Sequence, residues 1–303
     1  MPKFNFGHLV WEEISAIYLT IKRFNIDIDA NPIVMDMKDY TKTEGKHLYE
    51  KFTSFFIPVI TQESVRHTLP YIKSFGKEYV CFKKLLVPSF SRFFLDYRDS
   101  FNEGKEPLLF QFRNDIINYY KLDPFTKPKM HRILLNSKEE SLNLLGKDGN
   151  RTRYRSIANE QQVFEFLTKR YKNIQVDVIN IGKLSLKDQL KEMLATTIFI
   201  TPNGGISMSI PFLPIDSYAI IMDYYGGEKK PFFHYDNGDS ASMEVSFWNL
   251  WTHVNKMYYQ VFTDKDYVWD VPGSKSYRDD ASILVNLDRI EFMINEALHH
   301  YGS

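Results

Sequence analysis

The sequence predicts an α/β fold: a parallel sheet with flanking helices in the second half of the chain, behind a first half of less regular pattern. Three observations predict it. From residue 131 onward, apolar runs of strand length alternate with segments of helical period. Just before them, KLDPFTKPKM at 121–130 has two prolines, three lysines and no apolar periodicity, and reads as a linker between two halves. Finally, the apolar run in FITPNGG at 199–205 stops at Pro-Asn-Gly-Gly, at the end of a strand, where ligands bind in such sheets.

Each element follows in order. Residues 9–24 (LVWEEISAIYLTIKRF) repeat apolar side chains at helical spacing and predict the first helix. Short strands are predicted at 32–35 (PIVM), 55–60 (FFIPVI) and 79–82 (YVCF). Residues 106–120 return to a helical pattern. After the linker come a strand at 131–136, a helix at 160–171, a strand with alternation at 174–179 and a helix at 186–195. Ser185 is placed to cap that last helix, with Asp188 in the capping-box position. A strand at 197–201, the loop 202–205, a helical segment and a strand at 219–222 complete the sheet. Residues 283–301 predict a long terminal helix.

Composition excludes several classes. The 303 residues carry a formal net charge of zero, which argues against nucleic acid as the main partner, because neutralising phosphates needs a basic excess. Cys81 is the only cysteine, so neither an intrachain disulfide nor a cysteine-based zinc site can form. His131 and His253 have no partner at ligand spacing, and no metal site is expected. The start, MPKFNFGHLVWEEIS, lacks the pattern of a signal peptide, and no apolar stretch reaches the roughly 18–20 residues of a membrane span. The chain reads as soluble and cytoplasmic as it stands. The secretory-pathway lumen is the alternative for a chain from which an anchor has been removed. Aromatic residues are 16%, and the clusters at 232–235 (FFHY) and 247–251 (FWNLW) read as core first and as a sugar- or base-stacking surface second.

The loop 202–205 admits two readings. One is a plain turn. The other is a phosphate cradle, in which Gly204 and Gly205 let backbone N–H groups approach an anion and Ser207 adds a hydroxyl. The dinucleotide fingerprint G-x-G-x-x-G is absent, as is a Walker A lysine motif, so a nicotinamide oxidoreductase is a poor reading.

Four segments stand in order along the chain: NFGHLVWE at 5–12, RTRYRSIANE at 151–160, LSLKDQ at 184–189, and FITPNGG at 199–205 followed by PFLP at 211–214. Together they resemble glycosyltransferase family 61. The resemblance spans most of residues 4–225. It implies a GT-B type fold, with two Rossmann-like halves facing a cleft and a C-terminal helix. Residues 1–125 would form the acceptor-side domain, and 126–303 the nucleotide-sugar domain with the terminal helix. It also implies an inverting, metal-independent transfer from a nucleotide sugar, UDP-linked, to a hydroxyl of a glycan or glycoprotein. No cofactor is expected, the nucleotide sugar being a substrate.

That chemistry needs a base for the acceptor hydroxyl, stabilisation of the departing diphosphate, and alignment of both substrates. Glu12 matches the family's aspartate and is the candidate base, and His8, four residues earlier, would orient the acceptor. Arg151 and Arg155 are the candidates for the diphosphate, because guanidinium makes planar bidentate contacts. Lys138 stands where the family often has another arginine. Asn159 would fix the segment or contact the sugar. Asn203, Gly204 and Gly205 would supply backbone N–H groups. Two departures stand out: Asn203 replaces the histidine of the family's glycine loop, and the acidic residue after the next strand is displaced, with Ile221 at its position and Asp223 two residues on. They support the competing reading of a catalytically silent relative that binds a glycan or nucleotide sugar.

Overall fold

The computed structural model describes residues 7–27, 34–36, 50, 53–61, 65–77, 79–82, 85, 106–138, 156–222, 248, 250–261, 263–270, 273 and 281–300. Contacts divide the chain into two compact units, Met1–Leu122 and Asp123–Ser303.

The first unit opens with a helix of two pitches. His8–Ile14 is π-helical and runs directly into the α-helix Ser15–Arg23 (α1). The wider turn shows where the Ser15 N–H reaches back five residues to the carbonyl of Val10. The short strands β1 (Met35–Asp36) and β2 (Arg66–His67) pair in parallel, and α2 (Thr68–Ser74) follows directly. The helix α3 (Glu106–Tyr119) packs on α1 through aromatic side chains. Trp11 meets Phe112 edge-on at 5.9 Å, and the Tyr18 ring lies 4.9 Å from the same phenylalanine. The Tyr18 hydroxyl donates to Asp115 at 2.5 Å, which satisfies the one polar atom in a fully buried ring.

Two strand expectations fail in this unit. Residues 53–56 are helical and Ile57–Val59 form a 3-10 turn, not a strand over 55–60. Pro58 has no N–H for a ladder and its fixed φ suits the start of a helical turn. Ile60 and Thr61 N–H both return to the Ile57 carbonyl, so the local turn satisfies the backbone. Residues 79–82 have no regular structure, and three of the four, Tyr79 at 80% among them, are exposed, so little burial rewards pairing that run.

The second unit is built on a five-stranded parallel sheet of β3 (Arg132–Asn136), β4 (Gln175–Ile179), β5 (Ile198–Pro202), β6 (Tyr218–Met222) and β7 (Asn255–Tyr259). Their order across the sheet is β4-β3-β5-β6-β7. The helix α4 (Glu160–Arg170) lies between β3 and β4 in sequence, and α5 (Leu186–Leu194) between β4 and β5. Side chains alternate across the sheet. Ile133, Leu135, Ile198, Ile200, Ile220 and Met222 pack with Val163 and Leu167 of α4 and with Ile290, Ile294 and Ala297 of the terminal helix. Leu134, Phe199 and Ile221 face the other way and are equally buried, so both faces of the sheet are covered. Ser185 caps α5 as expected: its Oγ accepts from the Asp188 N–H and donates to the Asp188 carboxylate at 2.6 Å. The hydroxyl bond and Lys191 hold that carboxyl below its ordinary pKa.

Beyond β6 the sequence reading falls short. The fifth strand, β7, was not expected, and neither was the antiparallel pair β8 (Tyr267–Trp269) and β9 (Ala281–Ile283). The terminal helix α6 begins at Leu287, not at 283, because Ala281–Ile283 is held as a strand by β8. Trp248 and Trp251 are core residues, exposed by 1% or less. The cluster 232–235 and Asp223 lie outside the described residues.

Candidate functional site

In an open parallel sheet the ligand site forms at the carboxyl ends of the strands, where successive connections depart to opposite sides. Here that point lies between β3 and β5. The chain leaves β3 for β4 on one side of it, then returns to β5 on the other. Both strands are buried along their length, and their carboxyl ends carry Asn136 on β3 and Thr201 on β5.

At the end of β3, Asn136 donates from Nδ2 to Thr201 Oγ1 of β5 at 3.0 Å, and its Oδ1 has no hydrogen-bond partner among the described residues. The next residue, Ser137, extends the pairing with β4 through its N–H to the Ile179 carbonyl, and its hydroxyl donates to Glu160 at the start of α4 at 3.0 Å. Lys138 then crosses to the other strand: its Nζ donates to the main-chain carbonyl of Asn203 at 3.0 Å.

At the end of β5, the Asn203 N–H bonds the Met222 carbonyl at 3.1 Å, continuing the β5–β6 ladder by one residue. Asn203 is 2% exposed, yet among the described residues neither its Oδ1 nor its Nδ2 has a partner. Buried polar atoms are nearly always satisfied, and three unsatisfied ones fall on the two asparagines that close adjacent strands. Gly204 follows at φ 131° and ψ −165°, a conformation open in practice to glycine alone. It turns the chain into the 3-10 helix Gly205–Phe212. Ser207 closes that turn, with its N–H and its hydroxyl both directed at the Gly204 carbonyl, at 3.0 and 2.6 Å.

The structure therefore brings Lys138, Asn203, Gly204, Gly205 and Ser207 to one end of the sheet. It places Asn159 differently. The Asn159 carboxamide brackets the backbone of Val285, accepting from its N–H and donating to its carbonyl, both at 2.9 Å. Of the two roles expected for Asn159, this geometry is that of fixing the segment. Arg151 and Arg155 lie outside the described residues. His8 and Glu12 sit in the π-helical stretch, and their side chains lie outside the described residues. Among the described residues no cluster of three or more His, Cys, Asp and Glu side chains converges.

Sequence reasoning missed Asn136, Thr201 and Glu160. A signal existed: RILLN and FITP both end apolar runs with a polar residue at the carboxyl end of a predicted parallel strand.

Taken together, the parallel five-stranded sheet, its switch point and its glycine turn define the second unit as an open α/β domain with a candidate ligand edge. Residues 6–220 match the protein family described as Glycosyltransferase 61, and the chain belongs to that family. Its general activity is sugar transfer from a donor to an acceptor. No curated protein matches the chain. No helix among the described residues is long and apolar enough to cross a membrane.

Proposed function

We propose that the chain is an inverting, metal-independent glycosyltransferase of GT-B type, moving a sugar from a UDP-linked donor to a hydroxyl of a glycan or protein. The observation that carries the donor side is the unsatisfied Asn203 carboxamide beside Lys138 at the switch point, followed by the glycine turn. A buried amide with both atoms open costs free energy unless something pairs with it. In this reading the second unit holds the donor and the first presents the acceptor. Arg151, Arg155 and Lys138 bind the diphosphate, with Gly204 and Gly205 N–H groups at its oxygens. Glu12 takes the proton from the acceptor hydroxyl while His8 orients it. The acceptor oxygen bonds to the anomeric carbon from the face opposite the leaving group. The bond from that carbon to the diphosphate oxygen breaks, and its electron pair leaves with the nucleotide diphosphate, where the cationic groups stabilise it.

A second reading keeps the donor site and drops the transfer. Asn203 stands where the family carries histidine, which favours a silent relative that binds nucleotide sugar or glycan.

A thermal-shift panel of nucleotide sugars tests both. A donor at 100 times its dissociation constant adds about 2.7 kcal/mol to native stability, and one clear shift identifies it. No shift with any donor removes the transferase reading and the nucleotide-sugar form of the second, leaving only a glycan binder, which a parallel panel of glycans tests. Binding without transfer across a broad acceptor screen leaves the second. Transfer that stops in excess chelator and returns with magnesium or manganese would refute metal independence.

A further inference from the structure

The atoms left open where β3 and β5 end have a definite hydrogen-bonding character. Thr201 Oγ1 donates its one hydrogen to the Pro202 carbonyl at 3.0 Å, so towards Asn136 it can only accept. That fixes the Asn136 amide: Nδ2 is spent on Thr201, and the open atom is the acceptor Oδ1. Asn203 leaves open both Oδ1, an acceptor, and Nδ2, which has hydrogens to give. Among the described residues the pair therefore presents two acceptors and one donor group. The links that hold it repeat at the same spacing. Asn136 reaches Thr201, and two residues on, Lys138 reaches the Asn203 carbonyl, each at 3.0 Å. By strand spacing the two asparagine backbones stand about 8 Å apart, close enough for two short side chains to meet neighbouring groups of one ligand.

This inventory discriminates between ligand groups. A phosphate diester has oxygens and no hydrogen to give, so two amide carbonyls would face its negative charge unpaired. The imide edge of uracil has one N–H and satisfies one of the two acceptors. Two neighbouring hydroxyls match the inventory: each gives a hydrogen to one amide oxygen, and either hydroxyl oxygen accepts from Nδ2. We infer that Asn136 and Asn203 form a subsite for neighbouring hydroxyls of a sugar ring, and that in the donor these are the hydroxyls of the ribose. A transferred sugar carries such hydroxyls too, but it must stay open to an acceptor, whereas both asparagines are buried. A group that pairs with them displaces what covers them, and no water then competes for its hydrogen bonds. The inference rests on the reading of this edge as the donor site, and it separates the hydroxyl-reading amides from the groups that meet the phosphates.

The test is calorimetric titration of the wild-type protein with uridine diphosphate, its 2′-deoxy and 3′-deoxy analogues, and UDP-glucose. Each deoxy analogue should bind about tenfold or more weakly than uridine diphosphate, because it leaves a buried amide oxygen unpaired. Asn136→Leu should abolish the discrimination against one analogue, and Asn203→Leu the discrimination against the other. A variant that is only destabilised would weaken all the ligands alike and keep both ratios. The wild-type titrations need no variant, so a substitution that folds poorly leaves the test in place. Equal affinity of the wild type for uridine diphosphate and both analogues overturns the ribose assignment. If UDP-glucose then binds at least tenfold more tightly than uridine diphosphate, and Asn136→Leu loses that gain, the hydroxyls are those of the transferred sugar. If it does not, the pair reads no hydroxyls and the inference falls. Unchanged ratios in both variants overturn it as well, and each of these results leaves the donor site standing. A wild-type protein that binds neither uridine diphosphate nor UDP-glucose refutes the donor-site reading and this inference with it.

Discussion

Lys138 Nζ donates to the main-chain carbonyl of Asn203 at 3.0 Å, so one lysine ties together the carboxyl ends of β3 and β5 at the point where the sheet changes direction. The tie fixes the backbone of Asn203 and does nothing for its side chain. A lysine amine reaching a carbonyl is a contact between loops that the sequence places 65 residues apart. It holds the glycine turn in register with the end of β3.

The Asn203 carboxamide gives the first prediction. Each unsatisfied buried polar group costs about 1–3 kcal/mol. Asn203→Leu, of similar size, should therefore raise the stability of the unliganded protein by about 1–3 kcal/mol in a denaturant titration. The same substitution should weaken uridine diphosphate binding at least tenfold. Gain of stability with loss of binding is the pattern of a residue kept for its ligand. A destabilised variant would mean that ordered water already satisfies the amide, and would take Asn203 out of the site.

The opposite end of β3 is held by an ion-pair cluster. Arg132 Nε pairs with Asp177 and its Nη2 with Glu192, both at 2.6 Å, joining β3 to β4 and to α5. Burial pulls the guanidinium pKa down, but the two carboxylates outweigh it and the net shift is upward. Breaking a buried pair costs about 3–5 kcal/mol, and the roughly 30% exposure of both carboxylates reduces that here. Arg132→Met should lower stability by about 2–3 kcal/mol in urea, while the folded fraction binds uridine diphosphate as before. A loss of affinity in fully folded protein would show that the two ends of the sheet are coupled.

The regular part of the second unit was legible because burial on both faces writes itself as unbroken apolar runs, as in ILL of β3 and FIT of β5. The strand β7, NKMYY, escaped because it is an edge strand whose first residue is exposed and whose next three are half-buried, leaving a weak apolar signal. The run FFIPVI misled because strand-forming side chains surround Pro58, and the proline decided the backbone. At the site, the glycine turn and Lys138 were visible as residue types. The open amides were not, since whether Asn136 and Asn203 are satisfied depends on neighbours from other strands. The bracket of Asn159 on Val285 was out of reach for the same reason: its partner lies 126 residues away.

Lys256 gives a pH prediction. It sits on β7 with its Nζ on the Trp251 carbonyl at 3.0 Å, and burial holds its pKa down to about 8 from an ordinary 10.5. Below pH 8 the group is charged in both the folded and unfolded chain, and the folded state carries the full cost of the buried charge. Between about pH 8 and 10.5 the unfolded state binds more protons, so this residue's contribution to stability rises with pH. Lys256→Met removes the charge and keeps the stem. The variant should be more stable than wild type at pH 7, and the gap should narrow as the pH rises through 8 towards 10.5. Urea titrations of both proteins across that range measure the difference and cancel every group they share. A constant gap would mean that Lys256 is not desolvated in solution.

The last prediction separates enzyme from silent relative. Glu12 lies four residues after His8 within the π-helical stretch His8–Ile14. Such stretches are rare and occur often at functional sites. Glu12→Gln keeps the size and the hydrogen-bonding reach but cannot take a proton at neutral pH. General-base catalysis is typically worth about 10²–10⁴-fold, so turnover should fall by roughly that factor. Donor affinity should stay nearly unchanged, because the carboxylate acts on the acceptor. Glu13→Gln, at the next position of the same helix, is the control and should be near neutral. The measurement is initial-rate kinetics with the donor found in the thermal-shift panel, with calorimetric binding of that donor alongside. If Glu12→Gln turns over like wild type, another residue is the base. If it loses turnover and donor binding together, the first unit contributes to the donor site and the division of labour between the two units is wrong. Only the loss of turnover with donor binding intact supports the assignment of Glu12 to the acceptor hydroxyl.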